Sequence, residues 1–368
     1  MNNSYVNLSI VFILAFLVFT PFFVNAQTKN QNNTFKAKVI KVLEEKKFNR
    51  EDGSVAIQQN LLLKALSGPL KNKEVTSFGI GDFDVVSVGA YNAGDKVYVD
   101  VISRENGDEQ YFVTDYIRTG WLYLLAVIFV LLTILVSGRK GIKSLLSLIL
   151  SFVVIIFLII PQLLADANPL IVAVLGSLLI MVIIIYLTDG FNRKAHLAVL
   201  TVFISLILTL LLAYLFTWLT RLSGFSTEEA TLLIGTSIGS INFQGLLLAG
   251  ILIGTVGVLD DIILGQIEAV AQIKLANSSL PSNQVFKMGL KVGQTHLGAI
   301  VNTLFLTYVG VSLPLLMLFY LSPTDPVDFF QVINNDAIAT EIVRTLVGSI
   351  GLMLSMPIAT CLASKLLK

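Results

Sequence analysis

Seven apolar runs, at about 119–137, 144–161, 169–188, 196–218, 244–263, 297–320 and 338–364, govern what this chain can fold into. Each comes close to the roughly 20 residues that cross a hydrocarbon layer about 30 Å thick. Backbone N–H and C=O groups in lipid find no water, so such runs must satisfy one another as helices. The expectation is a membrane protein of the all-α class, a seven-helix transmembrane bundle. Composition agrees. The chain is 55% hydrophobic and only 13% charged, against about a quarter charged in soluble globular domains, and its mean hydropathy is +0.81.

The charges are unevenly spread. Residues 27–118 hold 13 Lys+Arg and 13 Asp+Glu, so a soluble module precedes the helices at 119–368. Ahead of it an apolar run, Leu8 to Val24, ends in Val24-Asn25-Ala26. That is the length and small-residue ending of a signal peptide over 1–26, although Met1 to Asn7 carries no Lys or Arg, which leaves an uncleaved anchor as the alternative. Within 27–118, Phe35 to Val42, Val55 to Ala65, Val85 to Tyr91, Lys96 to Ser103 and Gln110 to Ile117 are rich in β-branched and aromatic residues. Turn signals such as Asp52-Gly53, Ser67-Gly68-Pro69 and Asn106-Gly107-Asp108 separate them. The expectation is a small all-β module, an OB-like barrel or a sandwich.

Loop charge orients the helices. Arg139, Lys140 and Lys143, then Arg193 and Lys194, then Lys274, Lys287 and Lys291, and finally Lys365 and Lys368 fall in alternate loops. Because Lys and Arg concentrate on the cytoplasmic side, the β-module is expected to be extracytoplasmic and the C-terminus cytoplasmic, in a plasma membrane. In the long inner loop, Asn277-Ser278-Ser279-Leu280-Pro281 breaks the fifth helix, and Ser282 is expected to cap a short interfacial helix ending at Gly293. The net charge of +1 gives no reason to expect a nucleic acid partner. The single Cys361 has no disulfide partner in the chain and reads as a packing residue.

Polar residues in such a chain are the candidates for function, since a charge at mid-bilayer costs roughly 2.5–3.5 kcal/mol on insertion scales. Gly250, Gly254 and Gly257 are spaced for close helix packing. Asp260 and Asp261 follow, about 20 Å down the fifth helix toward the inner side. Gln266 lies just beyond, and on the sixth helix His296, Asn302 and Thr303 reach a similar depth. Two carboxylates and an imidazole could hold a cation or pass a proton, and an interfacial cap facing water is the plain alternative. No metal is assigned. Glu341 and Arg344, at i and i+3, form an outer gate or a structural ion pair. Gly235-Thr236-Ser237-Ile238-Gly239 matches G-x-S-x-G, but without a strand-to-helix setting. No Walker loop, Rossmann fingerprint or H-E-x-x-H is present, so neither an enzyme nor a cofactor is expected.

Longer strings carry a family resemblance. Gly257-Val258-Leu259-Asp260-Asp261 with Gln266, then Asn302-Thr303-Leu304, Tyr308-Val309-Gly310, and Glu341-Ile342-Val343-Arg344-Thr345-Leu346-Val347-Gly348-Ser349 with Pro357 resemble the YibE/F family of bacterial membrane proteins. Where relatives often show Arg-Asp-His, this chain has Gln294-Thr295-His296, which weakens any mechanism needing a third carboxylate there. The resemblance implies a multi-pass topology and candidate positions, not a reaction. The resulting expectation is a permease that moves a small solute or ion past Asp260 and Asp261. The alternative is a non-transporting scaffold or sensor whose β-module binds a partner. Partners are then the lipid bilayer and an unidentified solute, with a second copy or another membrane protein left open.

Overall fold

The computed structural model describes residues 34–49, 55–81, 90–103, 109–165, 167–225, 230, 233, 242–320 and 329–367. The leader over 1–26 and the G-x-S-x-G string lie outside the described residues. The chain divides into two compact units, with the boundary between Leu132 and Thr133.

The first unit carries five antiparallel strands: β1 (Thr34–Asn49), β2 (Val55–Ala65), β3 (Glu74–Phe78), β4 (Lys96–Ser103) and β5 (Glu109–Tyr116). Their order in the sheet is β3-β2-β1-β4-β5, and the edge strands β3 and β5 approach each other. Alternation builds the core: Phe35, Ala37 and Val39 point inward with Leu61, Leu63, Ala65, Val97 and Val99, as the two-residue period of a strand requires. The expected strand from Val85 to Tyr91 lies mostly outside the described residues, while β3, a Thr- and Val-containing run, escaped the sequence reading. At Gln58 and Gln59 the alternation slips, and both side chains are buried. They act as surrogate backbone. The Gln59 amide donates to the Tyr91 carbonyl and accepts from the Tyr91 N–H, and Gln58 pairs with Gly81 in the same way.

Helix α1 runs from Thr119 to Leu164. At 46 residues it is far longer than one crossing needs. The run breaks at Gly138, whose φ of 55° and ψ of −130° are not helical. A Cβ on Gly141 would lie 2.4 Å from the Thr133 carbonyl oxygen. Eight residues of straight helix would separate those positions by about 12 Å, so the chain bends sharply at Gly138 and α1 is not one straight helix. The remaining helices are α2 (Pro169–Asp189), α3 (Arg193–Leu219), α4 (Phe243–Ala276), α5 (Ser282–Val311), α6 (Leu313–Tyr320), α7 (Phe329–Asn334) and α8 (Asp336–Leu366). Among the described residues five helices, α1, α2, α3, α4 and α8, are long and apolar enough to cross a membrane.

Two boundaries differ from expectation. Ser282 is the first helical residue of α5 and caps nothing; Pro281 precedes it without a side-chain cap. The expected interfacial helix and the sixth membrane helix as far as Val311 are one helix, because Gly289 and Gly293 serve packing instead of ending a helix. Asparagine does the capping elsewhere. Asn168, Asn192, Asn242 and Asn335 each accept a first-turn N–H at the starts of α2, α3, α4 and α8.

Helices α4 and α8 form the centre of the second unit. Each is packed on α3 and α5, and α4 also on α2. Leu252, Leu259, Ile263 and Ile267 of α4 and Leu352 and Ala359 of α8 are fully buried or nearly so. Small hydroxyl residues share this interior, and most bond back to their own helix: Thr209 to Ser205, Thr255 to Ile251 and Thr360 to Met356. Such back-bonding lets polar side chains sit in an apolar bundle.

Candidate functional site

Adjacent residues on a helix point about 100° apart, and this geometry divides the two aspartates. Asp261 turns toward α5. With Gln266 of α4, His296 and Gly293 of α5 and Met356 of α8 it lines a cleft of about 190 Å³. Asp260 faces another way, though it still feels the charge of Asp261 and, more weakly, that of Asp189 at the end of α2. Its Oδ1 is buried without a hydrogen-bond partner among the described residues. The expected convergence of both carboxylates and the imidazole at one point therefore does not occur. Among the described residues no group of three His, Cys, Asp or Glu side chains is placed to hold a metal ion. Asn302 and Thr303 are exposed on α5 and do not line this cleft, and Thr303 bonds to the Ala299 carbonyl of its own helix.

Gln266 has a different role from the one expected. It is 5% exposed, and its amide donates to the Gly289 carbonyl at 2.7 Å and to Thr360 Oγ1 at 2.8 Å. Both donor hydrogens are thereby used to tie α4 to α5 and α8. The staple needs a bare backbone opposite, since a Cβ on Gly293 would lie 2.5 Å from Gln266 Oε1 and 2.8 Å from the Met356 sulfur. Gln266→Leu is expected to cost about 1–3 kcal/mol, the worth of two buried hydrogen bonds. Thermal unfolding in detergent checks this, with the exposed Gln272→Leu as a control that changes little.

The glycine spacing on α4 is only partly a packing device. A Cβ at Gly250 or Gly257 would meet open space, whereas one at Gly254 would lie 2.6 Å from the Tyr308 hydroxyl of α5. Close approach is carried elsewhere, at Gly176 against Ile159, Gly245 against Pro169 and Gly351 against Thr209. On α8, Glu341 and Arg344 form the expected pair, Oε1 to Nη1 at 3.1 Å, with side chains 19% and 25% exposed. Glu341 Oε2 and Arg344 Nε are buried without hydrogen-bond partners among the described residues, and Tyr308 is close enough to feel both charges.

Other pairings were missed by sequence reasoning, because loop charge alone does not say which partner a lysine meets. Lys194 of α3 bonds Glu268 of α4 at 2.7 Å, and Gln272 steadies the same carboxylate. His196 is held by the Tyr186 hydroxyl at 2.7 Å. Lys143 reaches the Thr188 carbonyl and Lys274 the Leu367 carbonyl. Lys143 beside the break in α1, Lys194 at the start of α3 and Lys274 at the end of α4 thus gather at one end of the unit.

Long apolar helices around a half-buried carboxylate, joined to a separate β-sheet unit, define a helical membrane protein with an N-terminal β-module. The model of the YibE/F-like protein family matches residues 125–368, well over half the chain, and the chain belongs to that family. None of the curated proteins and none of the solved structures matches it.

Proposed function

We propose that this protein moves a small solute or ion across a bacterial plasma membrane, with the cleft at Asp261 and His296 as its inner binding site. The observation that carries the reading is the convergence of two ionisable side chains, from α4 and α5, on one cleft floored by the Gln266 staple. A carboxylate and an imidazole can exchange protons or hold a cation as their charges change. Asp260 acts as the neighbouring carboxylate that tunes the site, and Glu341 with Arg344 closes the opposite end. No covalent chemistry enters the reading.

Seven crossings belong to this reading. The sharp bend at Gly138 supports counting α1 as two passes, and α5 with α6 is counted as one more. The shared basic end is the cytoplasmic one on the positive-inside rule, which leaves the β-module outside. In the β-module the strand order, with β3 and β5 close together, favours an OB-like barrel over a sandwich.

The test is a thermal-shift screen of purified protein against metal ions, anions and small metabolites across several pH values. Wild type is run beside Asp260→Asn/Asp261→Asn. A ligand at a hundred times its Kd is expected to add about 2.7 kcal/mol of stability to wild type and much less to the variant. In proteoliposomes the same ligand should be taken up at least tenfold faster by wild type. Equal stabilisation of both proteins, with no uptake, would reject the cleft as the site and favour a scaffold whose β-module binds a partner.

A further inference from the structure

A second cleft is not needed to explain transport, yet it is the larger of the two: about 620 Å³, between α1, the end of α2, α3 and α4 at the basic end of the unit. Six polar side chains line it: Lys140, Asp189, Asn192, Arg193, Lys194 and Glu268. Their charges are not all spent on one another. Lys194 is committed to Glu268, and Asn192 caps α3 by accepting from Ala195 N–H. Lys140 and Arg193 remain as cations, with Asp189 as the acid across from them, its Oδ2 held by the Thr188 hydroxyl at 2.9 Å. The first turn of α3 opens into the same space, adding its partial positive charge.

We propose that this cleft binds a phosphate group that carries an amine, the chemistry of a phosphoethanolamine lipid headgroup. The phosphate lies between Lys140, Arg193 and the start of α3, and the ammonium lies at Asp189. A purely anionic ligand would leave Asp189 facing it, and a simple cation would face Lys140 and Arg193; a zwitterion satisfies both. The surroundings suit a lipid. Leu135 and Val136, just before Lys140, are 77% and 84% exposed, and Phe191, just before Asn192 in the chain, is 82% exposed. Apolar side chains beside Lys and Arg mark the level of the headgroups.

Native mass spectrometry of the full-length protein, titrated with phosphatidylethanolamine, phosphatidylglycerol or inorganic phosphate, tests the assignment. Wild type is expected to hold one phosphatidylethanolamine in preference to phosphatidylglycerol. Lys140→Gln/Arg193→Gln should weaken that adduct at least tenfold, whereas Lys287→Gln/Lys291→Gln, which removes equal charge from exposed positions on α5, should not. Asp189→Asn should erase the preference between the two lipids. Lipid-free melting temperatures of all variants confirm that they fold. Retention of the adduct by folded Lys140→Gln/Arg193→Gln would overturn the site. Equal binding of both lipids by wild type would overturn the amine assignment. Inorganic phosphate that binds and is not displaced by lipid would overturn the headgroup assignment and make the cleft a site for a soluble anion.

Discussion

Glu341→Leu is expected to destabilise the protein by about 2–4 kcal/mol, and Glu341→Leu/Arg344→Leu by less than that single change. The reason is the asymmetry of buried ion pairs. Removing one partner strands the other charge without compensation, while removing both restores an apolar helix surface. Here the pair is mostly buried, at 3.1 Å, and Arg344 Nε has no other partner among the described residues to fall back on. The side chains keep some exposure, which trims the cost below that of a fully buried pair. Melting temperatures of both singles and the double, in one detergent, give the coupling energy directly. If the double variant loses the sum of the two singles, the pair contributes nothing as a pair, and the proposal that it closes the outer end of a transport path loses its physical basis.

Gly351→Ala is expected to cost about 1–3 kcal/mol, the usual penalty of overpacking. A Cβ there would lie 2.2 Å from Thr209 Oγ1 and 3.2 Å from its Cβ and Cγ2. The threonine has little freedom to yield. It is branched at Cβ, and its hydroxyl bonds the Ser205 carbonyl at 2.8 Å. The helices α3 and α8 must therefore separate. Thr209→Ala in the same background removes two of the three clashing atoms and should recover part of the loss. Gly250→Ala is the contrast: its Cβ meets open space, and alanine favours helix over glycine by about 1 kcal/mol. That variant should be neutral or more stable. A larger loss at Gly250 than at Gly351 would show that α4 makes its close contact outside this chain.

The apolar helices were legible because lipid leaves the backbone few choices, and the β-strands because alternation and turns mark them. Boundaries were less so. Ser282 has the right chemistry for a cap, but Pro281 already sets the entry to α5, and nothing between Gly289 and Thr295 stops the helix. The short β3 lacks the length to stand out, and it is held by its pairing with β2. In the candidate site Asp261 and His296 were foreseen and do share a cleft, whereas Asn302 and Thr303 face outward and Gln266 is a structural tie. Spacing along one helix cannot distinguish these outcomes, since it does not say which neighbour lies opposite.

What the sequence determined by itself is whatever solvent imposes locally: apolar runs long enough for a bilayer, a charged β-rich module before them, basic residues at alternate loops, and the presence of costly polar groups among the helices. Only the tertiary structure decided how those groups are used. Asp260 and Asp261 are neighbours in the chain yet belong to different surroundings, because one residue turns the side chain by about 100°. Gln266 and Thr360, 94 residues apart, meet because glycines let three helices close on them. A polar residue in a membrane helix announces that a partner is needed. Packing names the partner.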